Sequence, residues 1–172
     1  MKELVSVLAL CYNHERFVKD CLKSIYEQTY ENIELIILDN GSKDASVKEI
    51  EKVIAQNEGK FRRVELIKNE ENAGISKGVN QLLRMAKGEY IKLMSSDDML
   101  DVCAVERLAI FLKNNPQISF VVGNGYYVNE DYVFGAEPKE YDGRPLYQTP
   151  PDFSEGYFVK LLVPQYYCAP AI

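Results

Sequence analysis

Acidic residues that directly follow apolar runs are the side chains best placed to do chemistry in this sequence. Asp39 ends the apolar run at residues 33–38, and Asp97 with Asp98 follows the run at 89–94. Adjacent carboxylates on a strand-to-loop turn can hold a hard divalent cation that also takes phosphate oxygens, an arrangement that suits Mg²⁺ and Mn²⁺. Solvated acids near a helix N-terminus would give the same local pattern, so both interpretations stay open.

Asp39 has a second possible role, because a carboxylate can accept a hydrogen bond from the imide N–H of a nucleobase. The simpler interpretation is an ordinary Asx turn before Ser42 and Asp44, which are both potential helix caps. Taken alone, the local sequence favours the turn.

Three further residues could contact a bound nucleotide. Asn72 and Gly74 would let the backbone approach such a ligand, and Lys77 could reach a phosphate from the following helix. Loop capping and a solvated lysine explain the same residues without a ligand. The single histidine, His14, is interpreted as an exposed residue; one histidine excludes catalytic triads and paired-histidine metal sites unless this position supplies the base.

The elements that must position these residues alternate between strands and helices. Apolar runs predict strands at residues 4–10, 33–38, 64–67 and 89–94, with a fifth candidate at 118–122. Helical periodicity predicts one helix capped by Asn13, others at 47–54 and 75–86, and a fourth at 105–112. Gly88 stands where a left-handed helix cap prefers glycine.

This alternation predicts an α/β fold with a Rossmann-like, mostly parallel sheet and helices on both faces. Residues 1–122 would form the core. Residues 123–172 are rich in Tyr, Gly and Pro and are expected to form an irregular accessory region.

Composition excludes several classes of protein. The chain has 172 residues, 47% hydrophobic and 27% charged, which is typical of a globular domain. A net charge of −6 argues against a broad nucleic-acid-binding face. No stretch approaches the roughly 18 consecutive apolar residues of a membrane helix, and no signal peptide is evident, so a cytoplasmic location is expected. The four cysteines form no CxxC pair and are expected to be reduced.

Four blocks of sequence, in this order, resemble those of family 2 glycosyltransferases with the glycosyltransferase-A fold. They are VSVLALCYN at 5–13, SIYEQTY at 24–30, IILDNGSKD at 36–44, and finally NAG at 72–74 with Asn80, AKGEYI at 86–91 and SSDD at 95–98. The resemblance covers roughly the first 110 residues, and the joint order of the blocks is more specific than any one of them.

The resemblance implies an enzyme that binds a nucleoside-diphosphate sugar, usually a uridine one, together with Mn²⁺ or Mg²⁺. It would transfer the sugar with inversion to a saccharide or lipid-linked acceptor, in bacterial surface polysaccharide or lipid-linked oligosaccharide assembly at the cytoplasmic membrane face. On this basis Asp39 contacts the uracil imide and Tyr12 lines the base pocket. The remaining implied contacts are Asp97 and Asp98 to the metal and ribose side, with Asn72 and Lys77 as further donor contacts.

Two departures from the family pattern matter. The family commonly carries Asp-x-Asp-Asp where this chain has Ser95 in place of the first acid; serine can bond a ribose but supplies no charge. The family's catalytic base lies well downstream, and Glu130 with Asp131 comes too soon after the metal motif, so no catalytic residue is assigned. The chain is expected to be a truncated piece of a longer protein.

Other functions fit less well. A phosphoacceptor receiver module would need acids just after the first strand, where this chain has LCYN. Dinucleotide-dependent oxidoreductases and P-loop enzymes would need glycine-rich fingerprints that are absent. A nucleotidyltransferase that makes sugar nucleotides is the nearest enzymatic alternative, but its glycine-rich, basic opening is missing. A piece that binds the donor without turning it over is the third alternative.

Overall fold

The computed structural model describes residues 2–123, in which strands and helices alternate along the chain. The strands are β1 (Val5–Cys11), β2 (Ile33–Asp39), β3 (Arg63–Lys68) and β4 (Tyr90–Ser95). The helices are α1 (Val18–Tyr26), α2 (Ser46–Gln56), α3 (Ile75–Met85) and α4 (Ala104–Asn114). Among these residues no helix is long and apolar enough to span a membrane.

The strands form one parallel sheet in the order β3-β2-β1-β4. The chain moves outward from β1 to β3 and then returns to the other side of β1 for β4. Such a reversal leaves a crevice outside the carboxyl ends of the strands, where open α/β sheets bind ligands. The predicted α/β fold with a Rossmann-like parallel sheet is confirmed.

Helices cover both faces of the sheet, as predicted, because alternate residues of the central strands are apolar on both sides. One face buries Val7, Ala9 and Leu35 in a cluster that includes residues of α1, α2 and α4. The other buries Leu8 and Ile36 in a smaller cluster with α3. All seven residues of β2 are buried, which explains why the strand is apolar except for Glu34 and the terminal Asp39.

Three expectations about element boundaries were wrong. Asn13 does not cap α1: it has a positive φ of 55°, and the helix begins only at Val18. Gly88 does not adopt a left-handed conformation; it is small because it packs on β1, where a Cβ would lie 2.5 Å from the Ser6 nitrogen. Residues 118–122 do not form a fifth strand within the described part, and only Val122 makes an isolated bridge.

A buried carboxylate holds the amino-terminal edge of the sheet, opposite the crevice. Glu34 Oε1 accepts hydrogen bonds from the Ser6 hydroxyl at 2.5 Å and the Lys87 amide at 2.6 Å. Its Oε2 accepts one from Arg63 Nη1 at 2.7 Å. Burial opposes ionisation of this side chain, but the hydrogen bonds outweigh it and hold the pKa of Glu34 below its usual value.

The predicted accessory region at 123–172 lies, apart from Gly123, outside the described residues.

Candidate active site

The sequence-predicted site residues follow three neighbouring strands at the carboxyl edge. Cys11 pairs with Asp39 across β1 and β2, and Leu10 pairs with Ser95 across β1 and β4. The turns after these strands, which carry Tyr12, Asp39 and the Asp97 segment, therefore emerge side by side. Tyr12 directly follows β1 and exposes 40% of its surface.

Asp39 is buried, and its two carboxylate oxygens have different environments. Its Oδ2 accepts a hydrogen bond from the Ser42 amide at 3.0 Å, which is the turn that the sequence favoured. Its Oδ1 is buried and receives no hydrogen bond from any donor among residues 2–123. Because buried polar atoms in proteins are almost always hydrogen-bonded, this oxygen is a ready acceptor for a ligand N–H.

Asn40, the next residue, holds the loop after β3 against the edge. Its Nδ2 donates to Asn72 Oδ1 at 3.0 Å, and its Oδ1 accepts from the Ala73 amide at 3.2 Å and from Asn69 Nδ2 at 3.1 Å. Asn72 Oδ1 also accepts from the Gly74 amide at 2.8 Å. The side-chain oxygen of Asn72 thus fixes the loop, while Asn72 itself is exposed.

The same loop packs directly on Gly41. A Cβ on this glycine would lie 2.6 Å from the carbonyl carbon of Glu71, and its φ of +81° also disfavours other residues. Lys77 lies beyond the loop in the first turn of α3, with an exposed side chain. The β3–α3 loop is therefore a wall of the crevice that Asn40 and Gly41 position.

The turns after β1 and β2 are tied together by reciprocal hydrogen bonds. The Asn13 amide donates to Ser42 Oγ at 2.9 Å, and the Lys43 amide donates to Asn13 Oδ1 at 2.8 Å. The Glu15 amide donates to Asp44 Oδ2 at 3.0 Å, and the Ala45 amide donates to Glu15 Oε2 at 2.7 Å. These bonds account for the positive φ of Asn13, since its side chain satisfies the neighbouring turn.

Asp97 and Asp98 follow β4 in a tight turn. The Ser96 amide donates to the Leu10 carbonyl at 3.0 Å, and the Asp98 amide donates to the Ser95 carbonyl at 3.2 Å. Asp97 is exposed and Asp98 half-buried. Burial, followed by the negative charge of Asp97, raises the pKa of Asp98.

Sequence analysis missed Lys92, which belongs to the same region. Its side chain is buried on β4 at the register of Val7. Burial lowers the pKa of Lys92 to about 8, while the negative charge of Asp98 acts in the opposite direction. A lysine inside an apolar strand was the available signal, although the sequence alone does not say which acid it faces.

His14 was expected to be an exposed residue, and this expectation was wrong. Only 25% of its side chain is exposed. Its Nδ1 lies 2.8 Å from Ser96 Oγ, and its Nε2 lies 3.8 Å from Asp97 Oδ2. The ring therefore joins the turn after β1 to the turn that carries the two acids.

The donor chemistry fits a divalent cation that is shared with a ligand. Among residues 2–123 no three His, Cys, Asp or Glu side chains are grouped as a metal-binding cluster. The protein would supply Asp97 and Asp98, and a phosphate-bearing ligand with water would complete the shell. Mg²⁺ is commonly held by one or two carboxylates plus substrate phosphates, so this arrangement is a suitable one.

Comparison with known proteins identifies the family. The family model described as glycosyl transferase family 2 matches residues 6–170. The chain belongs to glycosyl transferase family 2. The chain is also 33% identical over 130 residues to the glycosyltransferase GlyG of Streptococcus pneumoniae. This alignment covers 76% of this chain and 42% of GlyG.

A second relative has a more specific name. The chain is 30% identical over 158 residues to WfaP of Escherichia coli, a UDP-Glc:alpha-D-GlcNAc-diphosphoundecaprenol beta-1,3-glucosyltransferase. This alignment covers 92% of the chain and 56% of WfaP. The family 2 chain described here therefore spans about half the length of these relatives.

Solved structures have the same fold and contain nucleotides. Staphylococcus aureus TarS 1–349 in complex with UDP matches with a TM-score of 0.57 and 26% identity over 64% of this family 2 chain and 32% of TarS. The mannosyltransferase PcManGT of Pyrobaculum calidifontis, in complex with GDP-Man and Mn²⁺, matches with a TM-score of 0.56 and 25% identity over 63% of this chain and 31% of PcManGT.

Proposed function

We propose that this chain binds a uridine-diphosphate sugar at the carboxyl edge of its sheet and transfers the sugar with inversion. The observation that carries the proposal is the buried Oδ1 of Asp39, an acceptor that no donor among residues 2–123 satisfies. The uracil imide N–H is a donor of the required kind. The UDP complex of the related TarS and the GDP-Man complex of PcManGT support it, because uracil and guanine both carry a ring N–H donor.

The other site residues have matching roles in this proposal. Tyr12 lines the base pocket, and Ser95 bonds the ribose side. Asn72 shapes the loop beside the donor, and Lys77 approaches its phosphates. When bound at Asp97 and Asp98, Mn²⁺ or Mg²⁺ neutralises the diphosphate leaving group. The Mn²⁺ in PcManGT supports this part of the proposal.

The acceptor is a saccharide or a lipid-linked saccharide. The name of WfaP, whose acceptor is a diphosphoundecaprenol-linked sugar, supports the lipid-linked form. Residues 1–122 would bind the donor, and residues 123–172 would lie on the acceptor side. We propose that the reaction takes place at the cytoplasmic face of a membrane, with peripheral association of the protein.

A change of one atom in Asp39 tests base recognition. In the Asp39→Asn variant, the side chain can keep its oxygen on the Ser42 amide and present an NH₂ group where Oδ1 was. This group repels the uracil imide but can donate to N3 of cytosine, which is an acceptor. We expect calorimetric titration to give roughly 10- to 100-fold weaker UDP binding, as loss of a hydrogen bond to a charged group predicts, and a relative gain for CDP.

The matched control is Asp20→Asn, the same change at an exposed position of α1. It should bind UDP as the unchanged chain does. Equal UDP affinity in the Asp39 and Asp20 variants would refute base recognition by Asp39. A folded, unchanged chain that binds no UDP would refute the proposed function.

A further inference from the structure

His14 connects two parts of the site through opposite atoms of one ring. Nδ1 lies 2.8 Å from the Ser96 hydroxyl, and Nε2 lies 3.8 Å from the Asp97 carboxylate. The His14 backbone is itself fixed, because its amide donates to Ser46 Oγ at 2.9 Å. The His14 backbone is therefore held by the first residue of α2, and the ring is directed at the acidic turn.

The two contacts of the ring differ in length. The distance from Nδ1 to Ser96 Oγ is that of a hydrogen bond, whereas Nε2 faces the Asp97 carboxylate at a distance longer than a direct hydrogen bond. Ser96 is completely buried and its amide is bonded to β1, so it is a rigid anchor for the ring.

We propose that His14 is a positioning residue that orients Asp97 toward the divalent cation of a bound nucleoside diphosphate. The inference rests on the proposed function, since it concerns the same donor site. Among the described residues, His14 is not grouped with Asp97 and Asp98 as a metal-binding cluster of three side chains. Hydrogen-bonding partners of metal ligands typically change metal affinity 10- to 100-fold when they are removed.

Two amide substitutions separate the functions of the two ring nitrogens. The amide of His14→Asn sits near the place of Nδ1 and can keep Ser96, but it does not reach Asp97. The longer side chain of His14→Gln can reach the place of Nε2 and keep Asp97. The experiment is calorimetric titration of UDP into each variant, once with Mn²⁺ and once with a chelator.

We expect UDP affinity in chelator to be the same in all three proteins. With Mn²⁺, His14→Asn should lose roughly 10-fold or more of the affinity of the unchanged chain, and His14→Gln should retain most of it. Thermal unfolding of each variant, measured in parallel, establishes that it is folded. His14→Gln thus acts as the matched control for His14→Asn.

Several outcomes would overturn the proposal. Equal losses of UDP affinity with and without Mn²⁺ would indicate a general structural role of His14. A loss of UDP affinity seen only in the presence of the chelator would indicate a direct contact of His14 with the phosphates. Better retention in His14→Asn than in His14→Gln would make the Ser96 contact the important one. UDP binding that does not depend on Mn²⁺ in the unchanged chain would refute this inference and the metal part of the proposed function, but not base recognition by Asp39. His14 variants that match the unchanged chain would refute this inference alone. Absence of UDP binding by the unchanged chain would refute the proposed function and this inference together.

Discussion

The two carboxylate oxygens of Asp39 differ: one is used by the fold, and the other is the one we propose to recognise the base. One oxygen closes the turn after β2 through the Ser42 amide, and the other is buried without a hydrogen bond among the described residues. The Ser42 contact fixes the direction in which the open oxygen points. A residue held in this way can select a base without rearranging when the ligand arrives.

Glu34 provides a residue whose charge stabilises the opposite edge of the sheet. Replacing it with Gln should lower the free energy of unfolding by roughly 2 kcal/mol near neutral pH, since three hydrogen bonds lose their charged acceptor. Urea unfolding measures this loss. The matched control is Glu65→Gln, which removes a partly exposed partner of the same Arg63 and should cost under about 1 kcal/mol.

The contribution of Glu34 should also depend on pH. Its pKa is lowered in the folded chain, so the folded state favours the ionised form. The stabilisation is fully present above the ordinary glutamate pKa of about 4.3 and is lost as the pH falls through the lower folded value. The difference between the unchanged chain and Glu34→Gln should therefore shrink in acid, and a constant difference from pH 7 to pH 3 would contradict this account.

Among individual residues, local sequence predicted the acids at strand ends but not their partners. Asp39, Asp97 and Asp98 were identifiable because each follows an apolar run. The contacts of His14 and Lys92 were not, since Ser96 and Val7 are far away in the sequence and meet them only through the order of the strands. A single sequence gives residue types and spacing, and these contacts depend on topology.

The loops after β2 and β3 depend on close packing at one glycine. Gly41→Ala should destabilise the chain, because a Cβ would lie 2.6 Å from the Glu71 backbone. Gly59→Ala is a matched control: Gly59 has a similar φ of +80°, but no atom lies within 4 Å of the added Cβ. In both variants the positive φ should lower the free energy of unfolding by about 1 kcal/mol. In Gly41→Ala the contact with Glu71 should lower it by roughly 1–3 kcal/mol more. Urea unfolding measures both losses. Equal losses would show that the loop yields freely.

Secondary-structure elements were predictable where burial dominates their sequence. β2 is buried along its whole length, and its apolar run placed it at nearly the observed residues. Predictions failed where a contact with a distant turn outweighs local preference. Asn13 resembles a helix cap, but the Lys43 amide holds its side chain, and Gly88 resembles a C-cap, but β1 requires its small size.

Ligand binding should stabilise the whole fold. A ligand that binds only the folded state at a concentration 100-fold above its Kd raises the free energy of unfolding by about 2.7 kcal/mol. For a chain of 172 residues this corresponds to a rise in Tm of roughly 5–10 °C. We expect UDP with Mn²⁺ to give a larger rise than UDP or Mn²⁺ alone, measured by thermal denaturation.

Asp39→Asn serves as the control for this measurement. At the same UDP concentration it should remove roughly half or more of the rise, while leaving the Tm of the ligand-free chain within a few degrees. An equal rise in this variant would mean that the nucleotide binds elsewhere.

The paired turns after β1 and β2 have a consequence for the motions of the crevice. Each supplies acceptors for the amides of the other, through Asn13 and Glu15 on one side and Ser42 and Asp44 on the other. A local opening that frees one turn must also expose the amides of its partner. We expect the two turns to open as a single cooperative unit, so that entry of the proposed nucleotide would depend on one opening equilibrium instead of two independent ones.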